Sequence, residues 1–156
     1  MKTVGIAALV FSAVSCGFFL VGELERRAAH VYALCELLRR ARRLVESFSM
    51  SARAILADCP RELIDACGYY GEEVPGSFLE LWEYCDISDP EARRIFSEFA
   101  KGFGKGYRAD QIRQCEYYMT LMSERRLQIS ERVGVQKKLV ITLTLCVTLV
   151  IIILLI

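Results

Sequence analysis

The chain has 156 residues, 54% of them hydrophobic, with 20 basic and 19 acidic side chains and a net charge of +1. That length holds one small domain plus membrane segments, and the near-zero balance argues against a nucleic-acid partner, which calls for a basic, aromatic-interleaved face. The apolar excess is not spread evenly. It sits in two uncharged runs, 4–22 and 139–156, while residues 23–138 have an ordinary water-facing composition.

Each run approaches the roughly 20 residues that span a bilayer's hydrocarbon, so 1–22 and 139–156 are expected to be transmembrane helices around a domain at 23–138. The first run exceeds the apolar length of a signal peptide, and no small-residue cleavage site closes it. A retained helix is therefore expected in preference to a lipid-modified Cys16. Arg26 and Arg27 follow the first run, and Arg132, Lys137 and Lys138 precede the second. By the positive-inside rule they are membrane-interface residues, which puts the central domain in the cytoplasm and both termini across the membrane.

After the first run, Val31, Leu34, Leu38, Ala41, Val45 and Phe48 recur at steps of three and four, the stripe of a helix with one buried face. Ser47 to Ser51 breaks it, since serines favour caps over helix interiors. A short helix is predicted from Ala52 to Asp58. Another should open at Pro60 and close at Gly68, and a loop follows from Gly71 to Gly76. Ser77 with Glu80, and Ser88 with Glu91, have capping-box spacing; Pro90 suits a first helical position, and Asp89 beside it is most simply a helix cap. Ile95, Phe96 and Phe99 mark the apolar face of that fifth helix.

The run from Lys101 to Tyr107 carries Gly102, Gly104 and Gly106. A phosphate loop would need Ser or Thr after its lysine and a strand before it. Lys105 is followed by Gly106, so a turn between helices is expected. The last soluble helix repeats the stripe through Ile112, Cys115, Met119, Met122, Ile129 and Val133, with Arg126 in the remaining slot. Glu23–Phe48 and Arg108–Val133 are each about 39 Å of helix at 1.5 Å per residue, and both adjoin an apolar run. The predicted fold is all-α: a small helical bundle of about six helices, with two long antiparallel helices continuing into the two transmembrane helices. A bend at Gly134 is left open.

Charge within 23–138 is uneven. Residues 58–91 hold ten acidic side chains against Arg61 alone, a net of −9. This section could dock a basic partner, and Glu72, Glu73, Glu80 and Glu83 are the candidate partner-docking surface. His30 is the only histidine, so neither a Ser-His-Asp nor a Cys-His arrangement assembles readily. None of the seven cysteines forms a Cys-x-x-Cys pair, and no metal spacing is present. The five cysteines of the central domain are read as reduced, buried hydrophobes. No catalytic residue, metal or cofactor is expected.

The segment from Phe99 to Gly104, then Asp110 and Gln111, then a long helix entering a terminal apolar run, resembles the stage III sporulation protein AB family. Phe99, Gly104, Asp110 and Gln111 match its motif positions. Ala100 stands where that family has a glycine, and Ser49-Met50-Ser51 stands where it has a Thr-Pro break. The resemblance implies a non-enzymatic membrane platform or adaptor in the complex linking mother cell and forespore, similar in its soluble part to the type II secretion platform protein. It implies as partners membrane lipid and other subunits of that complex, including a secretion-type ATPase, and the mother-cell membrane as location. A homo-oligomer is compatible with these features. The alternative is a membrane signalling protein with a transmembrane helical stalk, though its short external tails leave little room for a sensor.

Overall fold

A computed structural model describes residues 2–155, with the side chains of residues 2–10, 13, 148, 151, 152, 154 and 155 outside the description. Six helices follow one another: α1 (Lys2–Phe48), α2 (Ala52–Asp58), α3 (Arg61–Ala66), α4 (Phe78–Glu83), α5 (Pro90–Gly102) and α6 (Arg108–Leu155). Among the described residues the one β feature is an isolated bridge between Tyr69 and Cys85. The all-α fold and the helix count expected from periodicity are both present. Two compact units divide the chain, one of residues 1–26 and 129–156, the other of residues 27–128.

In the unit of residues 27–128, α1 supplies the centre. Val31, Leu34, Leu38, Ala41 and Val45 of the predicted stripe are all buried, and Ala33 and Leu37 add a second buried face. Phe48, the stripe's last position, is instead 73% exposed. The remaining core comes from Ile55 and Leu56 of α2, Ile64 of α3, Phe78 and Leu81 of α4, Ile95, Phe96 and Phe99 of α5, and Cys115 and Met122 of α6. Each fully buried large side chain contributes about 1.5–3 kcal/mol by leaving water.

The antiparallel pairing of α1 with α6 is fixed by side chains at matched heights. Arg108 donates to the Glu46 carbonyl. Arg42 pairs with Glu116 at 2.8 Å, and Arg126 lies 4.7 Å from the centre of the Tyr32 ring. Positions rise on α6 as they fall on α1, as two facing stripes require. Arg126, the polar residue in the second stripe, thus stacks on an exposed tyrosine instead of interrupting the core.

Caps decide the short helices. Ser49, at φ 54°, closes α1 with its N–H on the Val45 carbonyl. Ser51 caps α2 by accepting from the Ala54 N–H. Ser77 caps α4 by accepting from the Glu80 N–H at 3.1 Å. The predicted box there is displaced by one residue, because the Glu80 carboxylate accepts from the Gly76 N–H at 2.7 Å and not from Ser77. The predicted Ser88–Glu91 box does not form. Asp89 is the cap of α5, accepting from the Ala92 N–H at 2.9 Å, with Pro90 at the first helical position. Asp89, unlike the neighbouring serine, also meets a cation, Arg125.

In the unit of residues 1–26 and 129–156, Gly17 lies beside Val140, where a Cβ would meet that side chain at 3.4 Å. Glu25 pairs with Lys137. α6 runs through Gly134 without interruption. Phe11, Phe18, Phe19, Leu139, Ile141, Leu143, Leu145 and Leu149 all expose more than half of their surface. Among the described residues no helix is long and apolar enough to cross a membrane; some side chains of both uncharged runs lie outside the description.

Candidate docking surface

The acidic section is a run of loops and single-turn helices, and its shape depends on a few polar ties. Cys67 ends α3, and Gly68 then adopts φ +88°. That conformation lets the chain turn back so that the Asp86 N–H donates to the Gly68 carbonyl at 2.9 Å and the Tyr70 N–H to the Tyr84 carbonyl at 3.1 Å. A Cβ on Gly68 would stand 2.8 Å from the Asp86 carbonyl oxygen. Gly68→Ala therefore combines left-handed strain with a backbone clash and should cost about 2 kcal/mol. Hydrogen exchange checks this: the Asp86 and Tyr70 amides should lose protection while the α6 amides keep theirs.

Arg61, the section's single base, is fully committed. It pairs with Asp65 at 2.8 Å and donates to the carbonyls of Gly71 and Glu72. Its guanidinium also lies 5.5 Å from the centre of the Tyr69 ring. The Tyr69 hydroxyl in turn donates to the Glu73 carbonyl at 2.9 Å. The Gly71–Gly76 loop is thus held through its backbone, which leaves the Glu72 and Glu73 side chains in solvent.

The four predicted docking residues, Glu72, Glu73, Glu80 and Glu83, are all exposed. They are not equivalent, since Glu80 is engaged by the Gly76 N–H. Elsewhere in this unit most carboxylates have a basic partner: Glu36 with Arg39, Asp58 with Arg40, Glu116 with Arg42, Glu91 and Glu98 with Arg94, and Asp110 with Arg113. No salt bridge among the described residues reaches Glu62, Glu72, Glu73, Glu83 or Asp86. All five are exposed to solvent.

A buried ion pair limits the section at its far end. Asp89 is 2% exposed and accepts from Arg125 twice, at 2.9 and 2.7 Å. Burial on its own would raise its pKa. The Arg125 hydrogen bond, the Ala92 N–H and the Arg125 charge together outweigh that and hold the carboxyl below its ordinary range. The sequence suggested the cap but not the cation, which lies 36 residues further on.

The four motif positions gather at the corner between α5 and α6. Phe99 is fully buried, with the Phe78 ring 5.1 Å away, Phe103 at 5.2 Å and Tyr118 at 5.9 Å. Its carbonyl accepts from the Phe103 N–H at 2.9 Å and from the Gln114 side chain at 3.3 Å. Gly104, at φ +85°, reverses the chain in open space. Asp110 stands in the first turn of α6, where a carboxylate opposes the positive helix end, and Gln111 donates to the Gly106 carbonyl at 3.0 Å. Three glycines and two polar residues here build a corner, in keeping with the turn read from the sequence.

Of the basic residues assigned to a membrane interface, Arg26 pairs with Glu23 at 2.9 Å and Lys137 with Glu25. Arg132 and Lys138 are exposed, and Arg27 is half-buried. All seven cysteines are free thiols. The five of the central domain are buried, as expected of small hydrophobes, and Cys16 and Cys146 are exposed. Burial pushes Cys85 and Cys115 up to about 12 and Cys67 also upward, so these thiols stay protonated at neutral pH. No metal-holding cluster occurs among the described residues.

Fold and surface together define an all-helical protein whose first and last helices are its longest and whose loop-rich section bears unpaired acid. The chain belongs to the stage III sporulation protein AB family, whose model matches residues 2–156. No curated protein and no solved structure matches it.

Proposed function

We propose that the chain is a non-enzymatic membrane platform in a sporulation-specific, secretion-like complex between mother cell and forespore. The apolar runs 4–22 and 139–156 serve as its two membrane spans, each near the length that hydrocarbon requires. Residues 23–138 face the mother-cell cytoplasm, and Arg26, Arg27, Arg132, Lys137 and Lys138 lie at the lipid headgroups. The acidic section couples a cytoplasmic secretion-type ATPase to the membrane apparatus by contact.

Family membership supports the sporulation role. The observation that carries the docking role is the set of exposed carboxylates left unpaired in a domain that pairs most of its others. Complementary charge of this kind sets orientation and association rate more than affinity.

Replacing Glu72, Glu73, Glu80 and Glu83 together by lysine should abolish recovery of the ATPase with the full-length protein from detergent extracts of sporulating cells. A Glu124→Lys, Glu131→Lys control, on exposed positions of α6, should leave recovery intact. Undiminished recovery with the fourfold variant removes the assignment. Release of the intact protein from vesicles by carbonate would refute the anchorage.

A further inference from the structure

We infer that this surface takes an arginine-bearing segment of a partner protein, with Tyr70 and Tyr84 as the platform on which the guanidinium stacks. The inference deepens the docking role proposed above and relies on it for the partner, though not for the chemistry. Tyr70 is 66% exposed and Tyr84 47% exposed, and their ring centroids lie 5.9 Å apart at 65°. Exposed tyrosines of this size are typical anchors of protein interfaces. These two are held in place before any partner arrives, because the Tyr70 N–H donates to the Tyr84 carbonyl beside the Gly68–Asp86 tie. Little ordering is then left to oppose binding.

Charge selects the occupant. Glu72, Glu83 and Asp86 lie within two residues of these rings in the chain, exposed and without ion-pair partners among the described residues. Aromatic faces and spare carboxylates occur together, and a guanidinium uses both: it stacks flat on a ring while its planar fork meets a carboxylate. An ammonium is a compact, strongly hydrated charge that uses mainly the carboxylates. The protein already pairs arginine with tyrosine in this way, Arg61 over Tyr69 at 5.5 Å and Arg126 over Tyr32 at 4.7 Å. Trp82 also has its cations, Arg93 at 5.9 Å and Lys101 at 5.4 Å. Tyr70 and Tyr84 have none among the described residues.

Hexa-arginine and hexa-lysine peptides titrated against the full chain in neutral detergent micelles test this. Hexa-arginine should bind about fivefold more tightly than hexa-lysine. The Tyr70→Ala, Tyr84→Ala double variant should lose that preference, and Tyr70→Phe, Tyr84→Phe should keep it. Glu72→Gln with Glu83→Gln should weaken both peptides. Both rings are exposed, and the emission of Trp82 checks that the variants keep the fold. Equal affinity for the two peptides, or a preference that survives in the alanine variant, overturns the inference. A protein that keeps the tyrosine-dependent preference but recovers no ATPase supports this surface and overturns only the partner assigned above.

Discussion

Asp89→Ala should lower the stability of the helical domain by about 3–5 kcal/mol, the usual cost of leaving one member of a buried ion pair without its partner. Two losses coincide. The Ala92 N–H at the start of α5 loses its acceptor, and Arg125, itself only 17% exposed, keeps a charge that nothing neutralises. Asp89→Asn separates them, since an amide oxygen still caps the helix while the charge is lost. Adding Arg125→Met to Asp89→Ala should restore much of the stability, because the uncompensated cation is removed with its partner. Denaturant titrations of the full chain in neutral detergent, followed through the single tryptophan, Trp82, measure all three.

The same pair fixes a pH dependence. The folded-state pKa of Asp89 is depressed, so its contribution is complete above the unfolded value of about 3.9. It is lost as pH falls through the folded value. Stability should therefore fall below about pH 4 in the wild type. In Asp89→Asn this part of the slope should be missing. An unchanged acid limb in that variant would show that other carboxylates govern acid unfolding.

Phe99→Ala should cost about 3–5 kcal/mol, the range for removing a fully buried aromatic side chain. The ring stands among Phe78, Phe96, Phe103 and Tyr118, and these belong to α4, to α5 and the turn that ends it, and to α6. A void there loosens three elements at once. The damage should reach Gly104 and Gln111 through the Phe99 carbonyl, which anchors the Phe103 N–H and the Gln114 side chain. Hydrogen exchange should show early loss of protection at both the last turn of α5 and the first of α6. Loss confined to α5 would separate the aromatic cluster from the corner.

Where local chemistry decided the outcome, the sequence was readable. Three-four periodicity located both long helices. Ser51, Ser77 and Pro90 marked helix starts, and Gly68 marked an end at positive φ. What could not be read depended on distant pairing. Asp89 beside Pro90 reads as a helix cap, but its pairing with Arg125 of α6 does not show in the sequence. Charge counts found the acidic section but treated its glutamates alike. The structure distinguishes Glu80, turned back onto its own loop, from Glu72 and Glu83, which face water. Tyr70 and Tyr84 gave no periodic signal because they lie outside the helices, and only the bridge between their strands of backbone brings them together.

Leaving so many like charges unneutralised on a short stretch of chain has an energetic consequence for the unoccupied protein. Mutual repulsion works to open the Gly71–Gly76 loop, and Arg61 and the Gly68–Asp86 tie resist it. Added salt should thus act in opposite directions, screening the repulsion and firming the free loop while weakening capture of a cationic visitor. A cationic partner bound as proposed would relieve the same repulsion, coupling occupancy to local rigidity in a single stretch of about thirty residues.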